Sequence, residues 1–397
     1  MMYLNIAESV LKDRNGFWTA KEIAQQPEAW LETAALLAAN RGALDAFLKP
    51  LHADPRLRII LTGAGTSAFI GECLEPVLTS TLGKRVEAIA TTDLVSGPED
   101  YFQADVPTLL VSFGRSGSSP ESVAAVALAD QCLNQSYHLV ITCNASGELY
   151  TLCEKRDNCF ALALPEQTHD RSFAMTSSFS SMMLAALDAF TPLVREAGAA
   201  AQVADAGRFV LETFTGRLEA LAGDDFARVV YLGSKGFKGL AREASLKLLE
   251  LTDGEVVTTY DSPLGFRHGP KTIINDQTLV MMFVSADPYT RQYDLDLLEE
   301  LRRDGEVGRI VAVTAEACSR VTNGDYMLVE GLEGAKDSLL LFPYIMFAQV
   351  YAFYRALRLG NAPDSPSASG TVNRVVKGVT IHDHRGKGEA KPVSKAG

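Results

Sequence analysis

Apolar positions in this chain gather in short unbroken runs separated by longer stretches of helical period. The runs Ile59-Ile60-Leu61, Leu109-Leu110-Val111, Leu139-Val140-Ile141, Val229-Val230-Tyr231-Leu232, Leu279-Val280-Met281-Met282-Phe283 and Ile310-Val311-Ala312-Val313 show no polar alternation. A strand that is apolar at every position has to be covered on both faces, as in a parallel sheet with helices above and below. The runs also repeat. RLRIILTGAGTSAF from Arg56 matches ARVVYLGSKGFKGL from Ala227, and TLLVSF from Thr108 matches TLVMMF from Thr278. HLVIT from His138 pairs with RIVAVT from Arg309, and CFALAL from Cys159 answers YMLVEG from Tyr326. The offset is about 170 residues, and each copy closes on an apolar helical stretch, 174–190 and 337–357. This predicts an α/β protein with two tandem domains, 51–200 and 215–365.

The flanks read differently. Residues 1–50 are rich in alanine and leucine and are expected to be helical, with Thr19-Ala20-Lys21-Glu22 as a capping box and Gln26-Pro27-Glu28 opening a second helix. This segment has no clustered basic face, so it is expected to pack on the body or on a partner subunit. NAPDSPSASG (361–370) has linker composition, and 366–397 is read as a basic tail. His382 and His384 within it are read as solvated side chains, not as a metal site.

One helix departs from ordinary amphipathic patterning. After the turn at Gly233, Ser234 and Gly236, a helical period runs from about Gly239 to Leu251 and sets Glu243, Lys247 and Glu250 on one stripe. Leu240, Ala244, Leu246 and Leu248 border it, so the charges lie among apolar residues. Taken alone, Glu243 and Lys247 could be a surface pair stabilising the helix by about a few tenths of a kcal/mol. Eighteen residues after Glu250, however, His268 stands in the turn Arg267-His268-Gly269-Pro270. A carboxylate on a partly apolar helix, a neighbouring lysine and a loop histidine are the groups that proton transfer requires.

The first copy supplies polar loops. Gly63-Ala64-Gly65-Thr66-Ser67 follows the first strand and opens a helix, but Ala68 stands where a dinucleotide fingerprint needs glycine, so no nicotinamide cofactor is expected. The next loop, Ser112 to Ser122, contains Arg115-Ser116-Gly117-Ser118-Ser119 ahead of a helix. Glycine lets the backbone approach a ligand, the hydroxyls donate, and the helix start presents N–H groups to an anion. An ordinary helix cap with spare serines is the alternative. In the second copy FVSADP stands at the same place, so the cradle is lost there while the charged stripe is kept, and one composite site is expected.

Composition narrows the field. The 397 residues are 47% hydrophobic, enough for buried cores, and the net charge of −12 argues against a general nucleic-acid or anionic-membrane binder. The six cysteines show no CxxC spacing and are read as core thiols, not as metal ligands or disulfides. With no signal-peptide pattern at the N-terminus and no stretch of about 18 uninterrupted apolar residues, a cytoplasmic location is expected.

The E-x-x-x-K-x-x-E stripe followed by the H-G-P turn resembles the sugar isomerase (SIS) family, in particular the isomerase half of glucosamine-6-phosphate synthase. Ser116-Gly117-Ser118-Ser119 is similar to that family's sugar-phosphate loop, and Thr66 and Ser67 to its earlier T-S pair after Gly65. Gly114 and Arg115 stand where the synthases carry Ser and Gln, which leaves Arg115 free to grip phosphate as a bidentate donor. The resemblance implies tandem five-stranded, flavodoxin-like three-layer domains, with Glu250 as the base working at C1 and C2. It implies that His268 assists ring opening from across a subunit boundary in a homodimer, with Lys247 and Glu243 beside the base. Asn373-Arg374-Val375-Val376-Lys377-Gly378-Val379-Thr380 resembles the family's C-terminal segment, which implies that Lys377 forms a Schiff base with the open ketose.

The synthases also carry a glutaminase with a nucleophilic cysteine at position 2, whereas this chain has Met2 and about 50 residues before the first sugar-binding domain. The resemblance is then to the galactosamine-6-phosphate deaminase/isomerase branch, which implies release of ammonia from an amino sugar phosphate without metal or cofactor. A plain tagatose-6-phosphate ketose/aldose isomerase and a non-catalytic sugar-phosphate sensor are the alternatives.

Overall fold

The computed structural model describes residues 1–196, 198–376 and 378–384. In the first sheet β1 (Arg58–Thr62), β2 (Arg85–Ala88), β3 (Thr108–Gly114), β4 (Ser136–Thr142) and β5 (Cys159–Ala163) run parallel in the order β2-β1-β3-β4-β5. The second sheet repeats the order as β7-β6-β8-β9-β10, from β6 (Arg228–Gly233), β7 (Val257–Asp261), β8 (Thr278–Phe283), β9 (Arg309–Thr314) and β10 (Tyr326–Leu328). Chain direction across each sheet reverses between its first and third strands, and that reversal opens a crevice at the carboxyl ends of the strands. The matched apolar runs are β1 with β6, β3 with β8, β4 with β9 and β5 with β10. The remaining strands, β2 (RVEA) and β7 (VTTYD), lie partly buried at sheet edges and carry too many polar residues to form an apolar run.

Both faces of each sheet are covered. Ile59 and Leu61, Leu109 and Val111, and Val229 and Tyr231 point into one core shared by the two sheets, and the residues between them point outward into two smaller clusters. The shared core is filled by α1 (Gln26–Ala53), α2 (Thr66–Leu82), α4 (Ser177–Phe190), α5 (Ala199–Ala222), α6 (Gly236–Leu251) and α7 (Asp337–Leu359), while α3 (Pro120–Cys132) covers the outer face of the first sheet. All of α4 is buried, and so is α7 from Ser338 to Leu357. Helix α7 is long and apolar enough to cross a membrane, yet its whole apolar window is inside the protein.

Four expectations are corrected. The first seven residues form a two-stranded hairpin, Met2–Tyr3 against Ile6–Ala7, whose turn residues Leu4 and Asn5 have φ of 47° and 60°. Two positive φ values give the tight turn that matches strand twist. Thr19 and Glu22 make no capping box, because the helix starts earlier, at Phe17, and its first turn is capped from the far end of the chain. Asp364 accepts from the Trp18 and Thr19 nitrogens at 3.0 and 2.7 Å, so the predicted linker is part of the packed body. Cys153 and Cys159 are joined as a disulfide, while Cys73, Cys132, Cys143 and Cys318 are free. The turn between a short helix and β5 brings those two Cα atoms to 5.2 Å, a proximity that the spacing did not reveal.

The halves meet most closely where α2 crosses α6. A Cβ at Gly239 would lie 2.6 Å from the Cys73 nitrogen, and one at Gly236 would lie 2.4 Å from the Cys73 carbonyl oxygen. Only glycine lets the two helix backbones touch here. Gly239→Val should therefore force the helices apart and lower unfolding stability by about 1–3 kcal/mol, read from urea denaturation. An unchanged midpoint would show that the contact is not required.

Candidate active site

The crevice between β1 and β3 is built from both halves. Gly65, with φ of 56°, turns the chain from β1 into α2 and sets Thr66 and Ser67 at the helix start, each 5% exposed. Across the glycine contact, Lys247 of α6 is buried to 1% exposure and donates from Nζ to Thr66 Oγ1 at 3.0 Å. Its Nζ also makes a short hydrogen bond to Glu250 Oε2 and stands 3.5 Å from Glu243 Oε1. The charged stripe is thus internal, and only Glu250, at 24% side-chain exposure, reaches out of it.

One buried cation between two carboxyls divides their roles. Burial pushes the fully enclosed Glu243 carboxyl up to about 8, against the pull of Lys247. Burial acts to lower the Lys247 ammonium, but Glu243 and Glu250 outweigh it and hold that group above its ordinary value. At neutral pH Glu243 therefore keeps its proton, and Lys247 is matched by Glu250.

The serine loop leaves β3 at Gly114 and is braced from β4. Thr142 Oγ1 donates to the Gly114 carbonyl at 2.7 Å, and Asn144 Nδ2 donates to the Ser116 carbonyl at 3.0 Å. Gly117, at φ 64°, lies so close to Thr142 that a Cβ would meet its hydroxyl at 2.9 Å. Ser116 Oγ accepts from the Ser118 nitrogen, Ser118 Oγ accepts from the Glu148 nitrogen, and Ser119 Oγ donates to Ser122 Oγ. Ser119 sits at the N-cap position of α3 without a side-chain cap bond, which separates its hydroxyl from ordinary capping.

Arg115 is used differently from the bidentate phosphate contact expected of it. It is 8% exposed, and its guanidinium donates to the Ser172 and Phe173 carbonyls at 3.1 and 3.0 Å and to the Arg374 carbonyl at 2.8 Å. Burial and the Arg374 charge lower it, while Asp170, Glu22 and Glu250 pull the other way. The turn that Arg115 grips is held by two further carboxylates. Glu22 accepts from the Arg171 and Ser172 nitrogens, and Asp170 accepts from the Thr176 and Ser178 nitrogens at the start of α4. Sequence reasoning passed over Asn144 and Asp170 and assigned Glu22 to a helix cap. For Asp170 a signal existed, an acid just ahead of Thr176-Ser177-Ser178 and an apolar helix.

His268 is not brought to this group. It lies exposed in the turn after the edge strand β7, and among the described residues no side chain bonds to its ring. Lys377 lies outside the described residues. No cluster of three or more His, Cys, Asp or Glu suited to a metal occurs among the described residues.

In the second copy's crevice the donors are taken by its own acids. Lys235, at φ 53° and ψ −127°, repeats the backbone of Gly65 at 56° and −129°. Asp294 accepts from Ser234 Oγ at 2.5 Å and the Ser285 nitrogen at 2.9 Å, and Asp337 accepts from Ser285 Oγ at 2.6 Å and the Ala286 nitrogen at 2.8 Å. These carboxylates hold donors that would otherwise face an anion. Burial pushes Asp294 up to about 6.

The Glu243 assignment has a pH signature. Its folded-state value lies above the unfolded one, so the native state binds the extra proton and stability falls as pH rises toward about 8. Glu243→Gln cannot titrate, so it should gain stability relative to the parent between about pH 5 and pH 9 in urea unfolding. A constant difference over that range would show that Glu243 does not hold a proton there.

Comparison with known proteins agrees with this architecture. The SIS domain family model matches residues 53–192. The D-galactosamine-6-phosphate deaminase AgaS of Escherichia coli is 51% identical over 368 residues, 92% of this chain and 96% of that protein. A crystal structure of tagatose-6-phosphate ketose/aldose isomerase from Escherichia coli superposes with a TM-score of 0.89 at 45% identity, covering 97% of this chain and all of the other. The C-terminal domain of glucosamine-fructose-6-phosphate aminotransferase from Francisella tularensis shares the fold, with a TM-score of 0.71 at 16% identity over 88% of this chain and 98% of that one. With half its residues identical across nearly the full length of such a relative, this chain belongs to the AgaS family of SIS-domain proteins.

Proposed function

We propose that this chain is an amino sugar phosphate deaminase/isomerase that converts galactosamine 6-phosphate and water to tagatose 6-phosphate and ammonia. The observation that carries the reading is the bond from Lys247 to Thr66, which puts the Glu243-Lys247-Glu250 stripe of one half beside the polar loops of the other. The loop Ser116 to Ser119 and the Gly65-Thr66-Ser67 turn receive the sugar phosphate. Glu250, the member of the stripe that reaches out, takes the proton from C2 of the open aldose and returns it at C1 while one proton passes from the 2-amino group to O1, leaving a ketose imine. Lys247 stabilises the negative charge that develops in between. Water adds to the imine carbon and ammonia departs.

In this reading His268 opens the sugar ring from a second copy of the chain, since its own fold leaves it in an exposed turn beside the apolar Leu264, 45% exposed. Lys377 is the candidate for the Schiff base, and no metal or redox cofactor takes part. A cytoplasmic location and a homodimer belong to the same proposal. The name of the superposed isomerase favours a second reading, interconversion of tagatose 6-phosphate with its aldose without loss of nitrogen.

Two experiments test the assignment. Purified protein given galactosamine 6-phosphate, without glutamine, metal or nicotinamide, should release one ammonia for each ketose 6-phosphate formed. Interconversion of tagatose 6-phosphate without ammonia from any hexosamine 6-phosphate would select the second reading, and binding without turnover would leave a sensor. Glu250→Gln keeps the shape and removes the base, so kcat should fall about 10²–10⁴-fold while KM stays within a few-fold. Near-parental turnover in that variant would sink the proton-transfer role.

A further inference from the structure

The C-terminal tail is fastened to the body at widely separated points. Asp364 caps the helix that begins at Phe17, the Ala368 nitrogen donates to Asp253 at 3.2 Å, and Gln131 of α3 donates to the His384 carbonyl at 2.9 Å. Between these anchors stands Arg374. Its Nε donates to the Asp170 and Ser172 carbonyls at 3.1 and 3.2 Å, its Nη2 makes a short bond to the Asp170 carbonyl, and its own carbonyl accepts from Arg115. Arg115 in turn grips Ser172 and Phe173 of the same turn and directly precedes Ser116.

We propose that Arg374 is a positioning residue that locks the tail to the serine loop through Arg115, so that tail and loop dock as one unit around the bound sugar phosphate. The inference rests on the deaminase/isomerase reading and deepens it. Three carbonyls of one turn face two guanidiniums, a match for rigid planar forks that a lysine ammonium cannot reproduce. The turn's N–H groups are held by Glu22 from behind, so its carbonyls keep their aim. Neither Arg115 nor Arg374 makes an ion pair with a carboxylate among the described residues, and each guanidinium is satisfied by neutral carbonyl oxygens. Two like charges are therefore held together without a direct ion pair, and the Arg374 charge acts on Arg115 more strongly than any one of Asp170, Glu22 and Glu250. An anion seated on the loop that begins at Ser116 relieves their repulsion, so phosphate binding should tighten the tail and a docked tail should favour phosphate.

The test uses the full-length chain and its R374A and R374K variants. In the parent, inorganic phosphate should increase hydrogen-exchange protection of residues 378–384, and in R374A that response should disappear. For release of ammonia from galactosamine 6-phosphate, R374A should lose about ten- to a hundred-fold in kcat with KM changed only a few-fold, because the tail is displaced while the serine loop remains. R374K keeps the charge without the fork and should recover only a minor part of the lost kcat. Parental kcat together with parental tail protection in R374A would overturn the proposal. So would a parallel loss of phosphate affinity and kcat with the tail still protected, which would assign Arg374 to the anion site itself. If the parent released no ammonia from any hexosamine 6-phosphate, the functional reading would fall, while the exchange measurement with phosphate would still decide whether the latch exists.

Discussion

Lys247 is buried to 1% exposure, and an ammonium so far from water is tolerated only when other groups replace its hydration. Two of the replacements, Glu243 and Glu250, come from its own helix at helical spacing. The third, Thr66, lies 181 residues away in the other half. For that bond to form, α2 and α6 must approach at backbone distance, which is why glycine occupies positions 236 and 239 where they cross. The shared core, the alignment of the halves and the crevice all follow from this approach. Since one cation can match one carboxylate, the enclosed Glu243 stays protonated and the outward Glu250 takes the charge-assisted bond.

Around the first crevice the acids and bases are linked through peptide groups more than through ion pairs. Glu22 and Asp170 accept from N–H groups, Arg115 and Arg374 donate to carbonyls, and the 170–173 turn stands between them. Such an arrangement keeps two guanidiniums in an acidic protein without a direct ion pair to either, although Asp170, Glu22 and Glu250 lie near enough to act on Arg115. A net charge of −12 is compatible with the anion-receiving role proposed for the serine loop, because local donors and not the global balance would face the ligand.

The two copies use the donors at the carboxyl ends of their sheets differently. Lys235 keeps the backbone geometry of Gly65 despite the cost of a positive φ on a side-chain-bearing residue. Asp294 and Asp337 then occupy the N–H and hydroxyl donors at the carboxyl ends of the second sheet. With its own donors taken, the second half contributes α6 to the crevice of the first.

Much of this could be read from the chain because it depends on near neighbours. Strands covered on both faces must be apolar throughout, so the inner strands and their repeat were visible, as was a charged stripe set among leucines. The edge strands β2 and β7 were not, since half-exposed residues carry no continuous run. The tertiary structure alone decided that the stripe is internal, that Arg115 holds a turn, that His268 stands apart, and that Cys153 joins Cys159. It also replaced the expected capping box with Asp364, 345 residues from Thr19. Such pairings have no local signature: a carboxylate reads the same in sequence whether it meets water, a lysine or the N–H groups of a distant helix, and only the folded chain brings the partner to it.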